Sequence, residues 1–286
     1  MENAVKILLD GNLRSRRDPS NLHPRDVAAT GVIDNQTHAH DFVRLYFRPR
    51  TPTQWHIEGI RKADECRHGL NSHAPMLIMI VFDARRVLTR NEICFCDRNM
   101  QRNDAEIGGT EEYFSRIPFE KVYHEGSICD DFSITAHRCA EVLTPSPLPL
   151  ADTLQWIYCR TSAERETLLY MLGNERSKWS SKVLVSSDLL LFERRFVFVE
   201  DVSLSEKGLI FKLNPRRDPL PVDVEVRIWD AKGTEVLIRR NPNFNILPNK
   251  RWLIQQDLQN GFYLVEIKLE QHLAFRCNLS LGDDLF

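Results

Sequence analysis

Arg50 stands where the run HDFVRLYFRPRTPTQW, His40 to Trp55, stops alternating and breaks. Pro49 removes a ladder donor and Pro52 pushes Thr51 away from helical geometry. Before the break, Phe42, Arg44 and Tyr46 fall on one face of a strand-like alternation and Val43, Leu45 and Phe47 on the other. An arginine held at the end of a sheet offers a permanent charge and a planar fork of donors. On pattern alone, an edge strand with snorkelling arginines fits equally well. The second chemistry-bearing residue is Glu141, in the mostly apolar run Ala140-Glu141-Val142-Leu143. A bare carboxylate buried there would be costly without a partner. Without further information the pattern favours a half-buried strand whose glutamate faces solvent. Tyr46 and Trp55 present ring faces on which a flat ligand could stack, a contact worth roughly 1–3 kcal/mol per base in single-strand binding. For Tyr46, core packing is an equal reading.

The elements that must position these residues fall into two regimes. Up to about residue 178 the pattern mixes helices and strands. Glu2 to Leu9 reads as a helix closed by Gly11. Asp18 to Gln36 and Gln101 to Gly109 read as polar loops. Gln54 to His68 reads as a helix, Pro75 to Asp83 and Glu92 to Cys96 as strands, Cys139 to Leu143 and Leu154 to Cys159 as further strands, and Ser162 to Leu172 as a helix capped by Ser162. From there the chain is nearly all short strands, seven between Phe196 and Asn278, with Asp230-Ala231-Lys232-Gly233 as a hairpin turn. The expected fold class is α+β: a mixed domain over residues 1–178, then an all-β sandwich over 179–286, immunoglobulin- or fibronectin-like in outline.

The totals narrow the field. In 286 residues, 42% hydrophobic and 27% charged content are those of a globular protein. The longest apolar run, Met76 to Phe82, is the length of a buried strand, so no membrane partner is expected. No signal-peptide pattern opens the chain, and the seven cysteines include no CxxC pair, which points to reduced thiols and the cytoplasm. A formal net charge of −2 supplies no global basic field, so any nucleic acid must be held by a local patch. Arg44, Arg48 and Arg50 form one local cluster. There is no GxGxxG, P-loop or HExxH, and the histidines show no ligand spacing, so no metal is expected.

Three blocks in order give a more specific reading. FVRLYFRPRTPTQW is similar to a strand-into-turn pattern of the type YVPFYFxPRSPMLY. Phe95-Cys96-Asp97-Arg98-Asn99-Met100 resembles a strand followed by Asp-Gly-Asn/His-Ala. Arg138-Cys139-Ala140-Glu141-Val142-Leu143 is close to RQAEFLV. With AVKILLDGNLRSR at Ala4 to Arg16, these blocks resemble the DarT-type DNA ADP-ribosyltransferases over residues 3 to 172. The resemblance implies a split, mostly antiparallel ADP-ribosyltransferase sheet, NAD as co-substrate, and a base in DNA, single-stranded, as acceptor. It places Arg50 on the catalytic arginine and Glu141 on the catalytic glutamate. Asn3, Tyr46, Asp97 and Asn99 become candidates for the NAD site, and Arg44, Arg48 and Trp55 for DNA contact.

Those residue types suit the chemistry. Cleaving the nicotinamide–ribose bond creates an oxocarbenium-like transition state that a carboxylate can stabilise. An arginine, charged at any ordinary pH, suits a pyrophosphate or the carbonyl and ring nitrogen of a base losing its proton. The resemblance further implies a toxin with a cognate antitoxin, a macrodomain- or NADAR-type hydrolase. The chain departs from the pattern in three places. It opens at Met1-Glu2-Asn3, about where the family has an asparagine, so the preceding strand and its histidine are expected to be absent. Arg98 replaces a glycine. Gln101 to Gly109 is polar and acidic where the family has an aromatic run. These departures keep two alternatives open: a non-catalytic binder of nucleic acid or a protein partner, and an ADP-ribosyltransferase acting on RNA or protein.

Overall fold

A computed structural model describes residues 1–21, 37–66, 73–100, 102–186, 190–218 and 220–282. Most of the loop expected over Asp18 to Gln36, the first residue of that over Gln101 to Gly109, and the end of the helix expected over Gln54 to His68 lie outside the described residues.

Helix α1 (Glu2–Asp10) buries Ala4, Val5 and Leu8 and stops at Gly11, whose φ of 72° suits a residue without a Cβ. Its exit, β1 (Asn12–Leu13), pairs with β7 (Leu148–Pro149). Two sheets follow. One runs in the order β2 (Val43–Tyr46), β6 (Glu141–Thr144), β4 (Cys94–Cys96), β5 (Ile107–Gly108), every neighbour antiparallel. The other runs β3 (Met79–Phe82), β8 (Leu154–Cys159), β9 (Val183–Val185); β3 is antiparallel to β8 and β9 parallel to it. The expected boundary at residue 178 therefore falls too early. Residues 183–185 complete a sheet of the first regime because their backbone pairs with Ile157 to Cys159.

The alternation in β2 is realised. Leu45 and Phe47 pack into an apolar cluster with Phe95 and Val142, while Arg44 and Tyr46 face the other way. After the break, Thr51 caps helix α2 (Pro52–Ile57) by accepting from the Gln54 N–H at 3.2 Å. The helix is shorter than the sequence suggests. Glu58 is extended and Gly59 has φ 107°, so the chain turns at Ile57. A Cβ on Gly59 would lie 2.7 Å from Cβ of Phe196, so glycine is what lets the two segments meet.

The last third holds seven antiparallel strands in two sheets. One is β10 (Phe198–Ser205), β11 (Gly208–Asn214) and β14 (Arg251–Gln255). The other runs β13 (Glu235–Phe244), β12 (Val222–Asp230), β15 (Gly261–Leu269), β16 (His272–Leu281). Leu209, Phe211 and Leu213 from the first sheet share one core with Val224, Val226, Ile228, Val265 and Ile267 from the second. Burying each such side chain is worth roughly 1.5–3 kcal/mol. The β12–β13 hairpin turns where Asp230 Oδ1 accepts from the N–H groups of Lys232 and Thr234. Helix α3 (Ser162–Met171), capped by Thr161 rather than Ser162, joins the regimes. Its Thr167 hydroxyl oxygen accepts from the Arg276 N–H at 3.1 Å, and Ala163, like Ile60, sits in the C-terminal core. Among the described residues no helix is long and apolar enough to cross a membrane.

Candidate active site

Glu141 opens β6, the second strand of a four-stranded sheet, directly across from Tyr46 on one side and Cys96 on the other. Its side chain is 1% exposed. The solvent-facing glutamate that pattern alone favours is therefore not what forms. The carboxylate is held in a two-point grip: Arg44 donates from Nε to Oε2 at 2.8 Å and from Nη2 to Oε1 at 2.6 Å. The same Nη2 reaches Asn99 Oδ1 at 3.2 Å. Bidentate pairing of this kind fixes orientation as well as charge. Burial pushes the Glu141 carboxyl above its ordinary value, and Arg44 and the Met100 N–H hold back part of the rise. A carboxylate has about four acceptor positions; among the described residues Arg44 occupies two and Met100 one. About one remains for a ligand hydroxyl.

Tyr46 lies beside the pair and its hydroxyl donates to Thr53 Oγ1 at 3.2 Å, tying β2 to α2. Partial burial of the phenol, which leaves 39% of the residue exposed, and then the neighbouring Glu141 charge push its pKa up. It stays a neutral donor at any physiological pH.

Arg50 is one turn further on, with φ 56°, in the left-handed region that non-glycine residues rarely adopt. Its N–H donates to Gln54 Oε1 at 2.7 Å, which fixes the turn. Its side chain is 32% exposed and its Nε is 3.7 Å from Glu193 Oε1. That Nε is buried without a hydrogen-bond partner. Burial raises the pKa of Glu193, and Arg50 opposes the rise. Glu193 comes from a segment anchored by a buried carboxylate: Glu58 accepts the N–H groups of Glu193 and Arg194 at 3.0 and 3.1 Å. Glu58 also accepts from Gln54 Nε2 at 2.8 Å, and Arg160, itself paired with Glu164, is 3.7 Å away.

The other expected site residues divide. Asn99 joins Glu141 through Arg44. Arg44 is a partner of the glutamate and 24% exposed, which limits it as a DNA contact. Arg48 is turned inward, correcting its expected place at the DNA surface. Its guanidinium donates to the carbonyls of Pro49, Val122 and His124 and to Glu125, so every arm is spent on the protein. Asp97 points to a separate small pocket, paired with Arg98 at 2.9 Å and 3.5 Å from His137. Asn3 borders a groove of about 360 Å³ between α1, the Ala74–Ile78 segment and the β15–β16 turn; neither Glu141 nor Arg50 lines it. The structure thus does not bring Asn3 to Glu141. Trp55 is on the surface of α2, 37% exposed. The residues that sequence reasoning missed are Glu193, Arg195 and Arg217. Arg195 lies 3.6 Å above the Trp55 ring centre and Arg217 5.9 Å from it. Their adjacency to Trp55 had no local signal. Among the described residues no group of three or more His, Cys, Asp or Glu is placed to hold a metal.

An arginine at a sheet end and a buried glutamate in the neighbouring strand of a mostly antiparallel pair of sheets are the arrangement that the sequence resemblance implies. Residues 1–191 match the model of the family described as ssDNA thymidine ADP-ribosyltransferase, DarT, and the chain belongs to that family. Two solved structures of Thermus sp. 2.9 DarT share the fold at 19% identity. The one in complex with ADP-ribosylated ssDNA covers 65% of this chain and 90% of its own, with a TM-score of 0.52. The one with carba-NAD+ covers 64% and 89%, with a TM-score of 0.50. A Thermosipho africanus DarTG in complex with ADP-ribose, 15% identical, covers 74% of this chain and 53% of its own, with a TM-score of 0.48. No curated protein matches the chain. Its activity is that of the family, transfer of ADP-ribose from NAD to a base in DNA.

Proposed function

We propose that this chain transfers ADP-ribose from NAD to the thymine of single-stranded DNA, with Glu141 and Arg50 carrying the reaction. The observation that carries the assignment is the buried carboxylate of Glu141, oriented by Arg44 and left with about one acceptor position. That position takes a hydroxyl of the nicotinamide ribose, and the negative charge stabilises the positive charge that develops at C1″. The bond from C1″ to the nicotinamide nitrogen breaks and nicotinamide leaves neutral with the electron pair. The thymine ring nitrogen forms the new bond to C1″ as its proton passes to solvent. Arg50, a fixed positive charge at the end of the sheet and one-third exposed, steadies the anionic base rather than accepting the proton.

Arg44 is a positioning residue: it holds the Glu141 carboxylate ionised and aimed. Tyr46 and Asn99 flank that pair and belong on the NAD side of the site. Asn3 and Asp97 lie apart, and any part they play in NAD binding is as remote contacts. No metal is needed, because the leaving group departs neutral. We further propose that residues to about 191 form the catalytic unit and the C-terminal sheets an accessory one. The chain acts as a cytoplasmic toxin, restrained by an antitoxin hydrolase of macrodomain or NADAR type.

The test is mass spectrometry of a mixed-base single-stranded oligonucleotide after incubation with the chain and NAD. An ADP-ribose adduct on thymine, absent with Glu141→Gln, is the expected result. An adduct on another base, on RNA or on protein would overturn the acceptor assignment. An adduct that survives Glu141→Gln would overturn the catalytic one.

A further inference from the structure

The residues that follow the family-matched segment bring arginines to the edge of the Arg50 turn. Glu193-Arg194-Arg195-Phe196 leads into β10, and Arg216-Arg217 follows β11. Backbone bonding holds the two runs together: the Arg217 N–H donates to the Arg195 carbonyl at 3.2 Å. Phe196 packs on Gly59 and carries Arg61 at 4.4 Å, Arg216 at 5.2 Å and Arg195 at 5.4 Å from its ring centre. Crowding like this leaves a mark: burial, and then the neighbouring charge of Arg195, lowers the pKa of Arg61.

Much of this charge is spent internally. Arg216 is buried and pairs with Glu65 and Asp218, and Arg61 donates to the carbonyls of Trp55 and Glu58. What reaches the surface is Trp55, 37% exposed, with Arg195 stacked over it and exposed Arg217 at its rim. The half-open indole, backed by Arg195, offers its exposed surface to a base, and exposed Arg217 alongside offers donors to a phosphate. The chain as a whole carries −2, so DNA must be held by a local group of cations such as this one. It is also next to the proposed acceptor site. Glu193, the ion-pair partner of Arg50, is two residues from Arg195.

We propose that Trp55, Arg195 and Arg217 form a binding platform for the stretch of single-stranded DNA flanking the acceptor base. Two of its three residues come from beyond residue 191, so the C-terminal region completes the DNA site rather than merely accompanying the catalytic unit. The inference rests on the proposed DNA acceptor and names where the strand runs.

The experiment measures anisotropy of a labelled thymine-containing oligonucleotide across a salt series, without NAD, for wild type, Arg217→Glu, the Arg195→Ala/Arg217→Ala double variant and Trp55→Ala. The double variant should flatten the slope of log affinity against log salt by at least about 0.7, the one phosphate contact of exposed Arg217 on a single strand. Trp55→Ala should weaken binding by about fivefold or more, from the loss of one stacked base. Arg217 is exposed, so Arg217→Glu should melt like wild type, and its weaker, less salt-sensitive binding then reports a lost contact and not a lost fold. If wild type forms the adduct while slope and affinity are the same in all variants, the platform is wrong and the proposed reaction stands. If wild type binds in the salt-dependent, variant-sensitive way but forms no adduct on any DNA, the reaction is wrong and the platform stands. If wild type neither binds nor modifies DNA, both fall.

Discussion

The sheet that carries Glu141 and the pair of sheets at the C-terminal end are both antiparallel, and they differ in how far they close a carboxylate and its cation off from water. In the C-terminal pair, the inward positions of β11, β12 and β15 are aliphatic or aromatic, and the buried carboxylates of Asp223 and Glu266 pair with Arg240, Arg276 and Lys268, cations that reach well into solvent. In the other sheet a carboxylate sits almost fully buried in an inner strand, held by one arginine that is itself mostly covered. A buried ion pair is a poor way to stabilise a strand; well-packed apolar groups do as well or better. The difference teaches that the first sheet is shaped by what it must present, and the second by how it must hold.

If that contrast is right, the largest effect belongs to Glu141→Gln. It keeps the shape, removes the charge and should lower the adduct-forming rate at least about a hundredfold, as loss of a transition-state charge does, measured well below a melting transition that itself moves down because Arg44 loses its counter-charge. A variant that loses stability but keeps its rate would break the comparison. Arg50→Ala should cost on the order of a hundredfold in rate and leave NAD affinity close to wild type, measured as a fall in kcat without a matching rise in KM.

Phe211→Ala is the converse experiment. It should destabilise the fold by about 3–5 kcal/mol through the cavity left in the C-terminal core, while turnover below the melting transition stays near wild type. Chemical denaturation and single-temperature turnover together would check it.

Arg44→Ala sharpens the picture through pH. The carboxyl of Glu141 is already raised by burial, and Arg44 is the group that holds the rise back. Without the arginine the pKa goes higher still, so the ionised form appears only at higher pH. The acid limb of the rate profile should move upward, with activity partly recovered on the alkaline side. A profile that keeps its position would show that Arg44 does not set the charge state of Glu141. The smallest effect is expected from Arg48→Lys. Its guanidinium serves three carbonyls and one carboxylate in the protein. Stability should fall by about 1–3 kcal/mol, with the salt dependence of DNA binding unchanged.

Part of this was legible in the sequence and part was not, for physical reasons. Alternation of period two put Arg44 and Tyr46 on one face of β2, and the proline pair marked the turn that holds Arg50. The αL stop at Gly11 and the Asp230–Gly233 turn were likewise local, written in residues next to one another. What makes Glu141 a site is its pairing with a residue 97 positions earlier, and no local pattern encodes that register. Arg48 looked like a surface cation because its partners are carbonyls, which every residue has. The helix after Pro52 looked longer because the helical pattern through Ile60 and Arg61 is real, but contact between Gly59 and Phe196 outweighs it. The arginines over Trp55 lie about 140 and 160 residues further on, brought there by strand pairing.

One detail of the turn reaches further. Arg50 holds a left-handed backbone that a glycine would adopt without the strain an L-residue bears there, on the order of 1–2 kcal/mol. Screened for survival at high temperature alone, a library randomised at this codon should drift toward glycine. Screened for arrest of bacterial growth, it should keep arginine. The two selections would pull a single position in opposite directions, and the winner would report what each had been asked to reward.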